Sequence, residues 1–522
     1  LIAVLRDWTR VRSSSRMAYM TENTKETLAQ RIEAVLKLDP AATAVEYQGH
    51  SISWSELEVA AAEVERLLDE AGVEREAPVG WAARNRPAAV ASFIALVRGG
   101  RMVAPLRPAY NVASFRDDIS AQGLKAVVGD PDDWAGEGVI KAATAAGSVG
   151  IEVSHYPFRV RLVPGLEKPG AGAHRAPMSD YVLERLTSGT TGAPKRIPVK
   201  QDILMPSLNA GDPKKSDDGG VLALKTSPAL LFKPFSHAGG LFGLLLALYQ
   251  ARPIVLFEKF NVPEWVDAVA QYKPKAASLV PAMIRMVLDA DVAPEKLESL
   301  IAIRSGTAPL ETDVQERFEE RFDCAILVDY GAAEFIGGLA GWTLKDHREF
   351  AKEKRGSVGR AKRDVSIRVV DQESFEPCPA NETGIVEVKS DRYGPDWIRT
   401  NDLAFIDADG FIFLAGRADD AINRGGFKIL PEEVAQVLRR HPGINDAAVI
   451  GVKDDRLGQV PIAAIELSDG HREAPDKQEL DAFLKETLPS YMVPVEYRVV
   501  AELPRTISMK VSRPELKSLL GI

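Results

Sequence analysis

The sequence predicts an α/β fold: a large N-terminal domain of layered α/β sheets, followed by a small C-terminal α+β domain. Three observations in the 522 residues carry that prediction. Helical and strand-like stretches alternate from about Thr24 onward, which favours a largely parallel sheet covered by helices. Several short apolar runs end in small or polar residues, as the carboxyl ends of ligand-binding strands do. Near residue 416 the texture changes to a charged, glycine-rich turn and a second run of alternating elements.

Taken in order, "KETLAQRIEAVLKL" has the spacing of an amphipathic helix and "TAVEYQGHSISW" that of a hairpin. "SWSELEVAAAEVERLLDEAG" reads as a helix with Ser53 as N-cap and Gly72 as its stop. "AAVASFIALVRGG", "MVAPL" and "LKAVVGD" continue the alternation, as do "RPIVLF", "AASLVP", "SLIAIRSG" and "AILVDYG". "SGTAPL" follows one of these strands and "YGAAEF" another. The stretch "GFIFLAGRADDAINRGGFKILPEEVAQVLRRHP" runs from strand through turn into a helix at Pro431, before "DAAVIGV", "IAAIEL", "KQELDAFLKETL" and "EYRVV". The expected division is an extension over residues 1–19, ahead of a native start at Met17 or Met20, then domains over 20–416 and 417–522.

Composition narrows the function. Hydrophobic residues at 45% and charged residues at 27% are those of an ordinary globular protein. A net charge of −9 gives no whole-chain basic footprint for nucleic acid. Cys324 and Cys378 are far apart, so neither a disulfide framework nor a zinc site is expected, and a reducing cytoplasm is. The longest apolar run, "GGLFGLLLALY", falls short of the roughly 18–20 residues that span a bilayer. A monomer or homodimer without membrane span is expected.

The run "LTSGTTGAPK", Leu186 to Lys195, is poor in bulk and rich in hydroxyls and amides. It lacks the Gly-x-x-x-x-Gly-Lys-Ser/Thr order of a P-loop. Thr187, Ser188, Gly189, Thr190, Thr191 and Gly192 can nonetheless turn tightly and aim donors at one anion, with Lys195 adding a mobile positive charge. That is the chemistry of a phosphate cradle.

This run closely resembles the signature loop of the adenylate-forming superfamily, which includes acyl- and aryl-CoA ligases, peptide synthetase adenylation domains and luciferases. Further motifs of that family follow in order: "PFSHAGGL", "SGTAPL", "DYGAAEF", "RTNDLAFIDADGFIFLAGRADD", "INRGGFKILPEEV" and "LPRTISMKVSR". The resemblance covers nearly everything after about residue 24.

The resemblance implies roles for particular positions. Gly306, Asp329, Tyr330, Gly331, Ala332 and Ala333 would join the phosphate loop around ATP, with Tyr330 against the adenine. Glu334 would ligate Mg2+, whose hard charge suits carboxylate and phosphate oxygens. Asp402 would take both ribose hydroxyls and Arg417 would reach the same sugar. Asp419 would be the hinge between domains, and Gly425 and Gly426 would line the tunnel for the thiol of coenzyme A. Phe235, His237, Gly239, Gly306 and Ala332 would border the acyl pocket, with His237 as its catalytic wall or gate. Lys510 would reach from the small domain to the substrate carboxylate and the α-phosphate, where positive charge favours the transition state.

The implied activity is ATP-dependent ligation of a carboxylic acid to coenzyme A through an acyl adenylate, with release of AMP and pyrophosphate. Amino-acid-activating relatives carry an aspartate in the segment matching "FKPFSHAGGLFG", and this chain does not, so an aromatic or short to medium aliphatic acid without an α-amine is expected. A carrier-protein thiol and a catalytically weakened binding protein are the alternatives. The second arises because four positions depart from the family pattern: Arg196, Asn401 and Met509 replace glycines, and Ala333 replaces a threonine.

Overall fold

The computed structural model describes residues 26–108, 111–186, 195–211, 222–332, 335–468, 474–506 and 509–522. The extension expected over 1–19 lies outside them, as do Thr187 to Gly192, Ala333 and Glu334.

Local chemistry sets the first helices. Thr27 and Ser53 each accept a bond from the backbone N–H three residues on, and the Gln30 and Glu56 side chains return the bond to the caps' own N–H groups. Both helices, Leu28–Leu36 and Trp54–Glu70, therefore open with reciprocal capping boxes. Between them, Thr43–Tyr47 and His50–Ser53 pair as the expected hairpin. The next helix, Pro87–Arg98, is buried all the way from Pro87 to Val97. Its lack of a polar face makes it an internal element.

The sheets are layered as anticipated, although not uniformly parallel. A seven-stranded sheet is ordered Arg159–Leu162, Val149–Ser154, Ala126–Gly129, Pro78–Ala82, Met102–Leu106, Tyr181–Leu186, Arg196–Lys200, parallel in its central five strands and antiparallel at both edges. A second sheet carries Ala276–Ser278, Ala302–Ser305 and Ala325–Tyr330 in parallel, then continues antiparallel through Ala340–Gly341 and Arg360–Ala361. A four-stranded sheet of Ser366–Val370, Gly384–Lys389, Ile398–Ile406 and Ile412–Arg417 is antiparallel throughout. Antiparallel neighbours can be joined by short turns, so this region lacks the helix-and-strand rhythm that announces parallel sheets.

After Arg417 a single 3-10 turn, Ala418–Asp420, leads to Ile422–Arg424, which joins a different sheet with Phe427–Ile429, Gly458–Leu467, Ile444–Asp454 and Glu496–Val499. The apolar clusters of this C-terminal part, one around Ile429, Val434 and Leu480 and one around Ile450, Leu503 and Leu516, share no residue with the upstream cores.

A charge network joins the two parts. Asp446 accepts from Arg439 at 2.7 Å and from Arg505, and Arg285 approaches it at 3.9 Å. Upstream Glu311 pairs with Arg285 at 2.5 Å and lies 3.4 Å from Arg439. Burial alone would raise the Asp446 carboxyl, but the three guanidiniums outweigh it and hold the group below the usual carboxylate range. The network therefore keeps its charges at neutral pH and loses them only as acid protonates a carboxyl that resists protonation. Removing one member of such a buried set leaves the others uncompensated. Glu311→Gln is expected to speed tryptic cleavage within the 418–432 connection several-fold; an unchanged digestion rate removes the network from this joining role.

Candidate active site

The second sheet aligns Ser278 with Arg304, and Arg304 with Leu327, on neighbouring strands. Gly306 follows the middle strand, and a Cβ there would lie 2.7 Å from the Asp329 carbonyl oxygen. The missing side chain lets the two strand ends close on each other. Beyond them come Tyr330, Gly331 and Ala332. Tyr330 is buried, and its hydroxyl donates to Asp402 Oδ2 at 2.6 Å.

Asp402 and Arg417 stand directly opposite each other on the last two strands of the antiparallel sheet. The register shifts just beyond Leu403, where Gly416 has φ +143°, so a bulge aims this pair. Arg417 Nη1 lies 3.4 Å from Asp402 Oδ1, and the rest of its guanidinium forks onto Asp419 at 2.9 and 3.0 Å. The guanidinium holds the Asp419 carboxyl below its ordinary range. Asn401, one of the departures, donates to Asp419 Oδ2 at 3.2 Å. It thereby ties the strand Ile398–Ile406 to the 3-10 turn Ala418–Asp420.

Lys510 arrives from the C-terminal part on a tight loop. Thr506 N–H donates to the Lys510 carbonyl at 2.8 Å, and Met509 N–H donates to the Thr506 carbonyl at 2.8 Å. Met509 has φ +64°, a left-handed conformation that glycine adopts freely and a methionine does not. Its side chain packs on the upstream core that contains Tyr330 and Phe411. Burial pushes the Lys510 ammonium below its ordinary value, opposed by the Asp402 carboxylate and reinforced by Arg417. His237 is pushed down to about 4, first by burial and then by the Lys510 charge.

The wall that carries His237 is braced from behind. Phe235 is fully buried, 6.0 Å from Trp81 in a stacked pair, and its N–H donates to Asn85 at 3.0 Å. It therefore backs the wall expected to border the acyl pocket, without facing open space. Asn85 in turn donates to the Lys233 carbonyl at 3.0 Å and the Phe257 carbonyl at 3.2 Å. A Cβ on Gly240 would sit 2.1 Å from the Pro234 carbonyl oxygen, so only glycine fits that turn. Gly239 is exposed, with Lys233 Cδ 3.8 Å from the position of an added Cβ.

Two other expected positions are placed simply. Gly425 and Gly426, at φ +59° and +93°, are the two turn residues of the hairpin between Ile422–Arg424 and Phe427–Ile429. Lys195 is exposed at the start of the strand Arg196–Lys200. Arg196, another departure, donates to the Pro105 carbonyl at 2.8 Å and lies 3.3 Å from Glu184 and 3.5 Å from Asp118. It braces the base of the loop. Sequence reasoning passed over Lys233 and Arg304, although a lysine directly before the Pro-Phe-Ser-His run was a visible signal. Among the described residues no group of three or more His, Cys, Asp or Glu is placed to hold a metal ion.

A large layered α/β domain, a small α+β domain and a lysine passed between them define the fold of the adenylate-forming enzymes. The chain belongs to the AMP-binding enzyme family, whose model matches residues 32–393, while that for the AMP-binding enzyme C-terminal domain matches 433–510. Among curated relatives, 4-coumarate–CoA ligase 3 of Oryza sativa subsp. japonica is 27% identical over 498 residues, covering 91% of this chain and 88% of the relative. The 2-succinylbenzoate–CoA ligase of Bacillus pumilus is 31% identical over 353 residues, covering 64% of this chain and 68% of the relative. The fold matches that of ATP-bound MatB from Rhodopseudomonas palustris with a TM-score of 0.78 at 24% identity, over 94% of this chain and 98% of that one.

Two outcomes follow from the geometry. His237 is expected to stay neutral from about pH 5 upward, because its folded value lies well below the ordinary one. NMR titration of its imidazole checks this, and an inflection near 6.5 would refute it. Tyr330→Phe removes the hydroxyl that donates to Asp402; on the ribose-binding role that the resemblance implies for Asp402 it is expected to raise the KM for ATP about tenfold, as loss of a hydrogen bond to a charged group does, and an unaltered KM frees Asp402 from that dependence.

Proposed function

We propose that the chain is an AMP-forming acid–CoA ligase. The observation that carries the reading is the gathering of Tyr330, Arg417 and Lys510 about Asp402, with the lysine supplied by the C-terminal part. An acceptor carboxylate next to a guanidinium fits a vicinal diol, and the adjacent ammonium fits an anionic phosphate. The acids named in the relatives, 4-coumarate and 2-succinylbenzoate, favour an organic acid without an α-amine.

In this reading the acid's carboxylate oxygen attacks the α-phosphorus of ATP, the bond to the β-phosphate oxygen breaks, and pyrophosphate leaves. Lys510 stabilises the growing negative charge on the phosphoryl oxygens. Thr187, Ser188, Gly189, Thr190, Thr191, Gly192 and Lys195 cradle the phosphates, while Gly306 and the segment from Asp329 to Ala333 border the nucleotide. Glu334 would hold Mg2+, which when bound would neutralise phosphate charge. The neutral His237 and the Gly239 surface form the acyl wall. The small domain then turns at Asp419, and Gly425 and Gly426 admit the thiol, whose sulfur attacks the acyl carbon and expels AMP.

The unbranched exit from Arg417 through one 3-10 turn supports rotation there. Asn401 and Arg196 make contacts of their own, which supports reading these departures as compatible with turnover. Lys510→Ala is expected to slow adenylation about 100-fold or more, while sparing thioester formation from preformed acyl adenylate. Equal loss in both half-reactions would show that Lys510 does not act selectively on the adenylation transition state. Asp419→Pro, which also removes the carboxylate that anchors Arg417, is expected to slow thioester formation more than adenylation, since a fixed φ hinders rotation; stopped-flow assay of both half-reactions checks it, and an unchanged rate of thioester formation removes the hinge from Asp419. Pyrophosphate exchange with a panel of acids tests the activity itself.

A further inference from the structure

Lys233 lies one residue ahead of the wall that carries His237, and nothing in the adenylation chemistry above uses it. Its stem runs beside Gly239, and its ammonium donates to Ser278 Oγ at 2.7 Å, at the carboxyl end of a parallel strand. Ser278 is in register with Arg304 on the next strand. Arg304 Nη1 lies 3.1 and 3.4 Å from the two oxygens of Asp329, and Lys362 Nζ lies 3.4 Å from Asp329 Oδ1. Arg304 and Lys362 thus pair with a single carboxylate whose field also reaches the third cation, Lys233, on the strand ends that also present Gly306 and Tyr330.

The ammonium of Lys233 is the least compensated of the three. Among the described residues its one hydrogen-bond partner is a neutral hydroxyl, and burial pushes it down to about 8 despite the pull of Asp329. A leucine or methionine would fill the same space without the cost of taking a charge out of water. An ammonium kept there has most to gain from an incoming anion, and Arg304, about half exposed with a side-chain accessibility of 54%, has donors to spare beside it.

We propose that the acid activated by this protein carries a second anionic group, a dicarboxylic acid being the simplest, whose distal carboxylate is held by Lys233 and Arg304 while its reacting carboxylate faces Lys510. The inference rests on the ligase reading and names its substrate class. Lys233 and Arg304 are then specificity-determining residues: the excess positive charge is neutralised when the dianion is bound, and an uncharged chain end would leave it uncompensated.

The test is pyrophosphate exchange by the full chain with size-matched pairs: succinate against butyrate, glutarate against valerate, phthalate against 2-methylbenzoate. A dicarboxylate is expected to exceed its partner at least about tenfold in kcat/KM, and Lys233→Met and Arg304→Gln are each expected to shrink that ratio about tenfold by raising the dicarboxylate KM. Arg304→Gln lies at a half-exposed position and keeps the test available if Lys233→Met does not fold. Exchange favouring the monocarboxylates, or a ratio indifferent to both substitutions, overturns the second-anion inference alone. No exchange with either set overturns the ligase reading beneath it.

Discussion

Asp402 is the group on which the cleft is built. It accepts from Tyr330 on one parallel sheet, faces Arg417 across an antiparallel one, and its charge opposes the burial that weakens the Lys510 ammonium. These partners come from three regions of the chain, and in a partly enclosed place each is costly without the others. A neutral residue at this position would leave the Lys510 ammonium with the Arg417 charge and no opposing carboxylate, while Arg417 kept its fork on Asp419.

The arrangement also explains why the small domain settles where it does. Asp446 and Glu311 interleave with Arg285, Arg439 and Arg505, so each carboxylate answers guanidiniums from both sides of the boundary. Such a network has direction: it rewards the orientation that presents Lys510 to the cleft. Because it is made of charges, water could replace it in the proposed rotation more readily than water replaces an apolar interface.

Much of this was legible in the sequence, for physical reasons. Ser53, Gly72 and the hairpin before them carry local signals that no tertiary context overrode. The short strands ending in "SGTAPL" and "DYGAAEF" followed from apolar length and turn residues, and both sit at strand ends of one sheet. The antiparallel sheet over 366–417 was not foreseen, since hairpin-linked strands lack an intervening helix. Pairings across the chain were invisible too. Nothing local to Arg285 points to Asp446, and Asn401, read as a lost glycine, gained a partner only once the strand folded beside Asp419. Lys233 was legible in type and spacing; its enclosure was not, because burial depends on segments far away in the chain.

Met509 carries a last consequence. A methionine at φ +64° sits in a backbone conformation that disfavours residues with a Cβ by about 1–2 kcal/mol. That cost is offset while its side chain packs on the upstream core, and the contact lasts only as long as the small domain stays docked. Undocking removes the packing and the constraint together, so the loop can relax as it leaves. Redocking must re-form both at once. Under the proposed rotation the position would act on timing: it would make arrival of the lysine more cooperative, a single event of insertion and backbone rearrangement, where a glycine would let the loop drift into place by degrees.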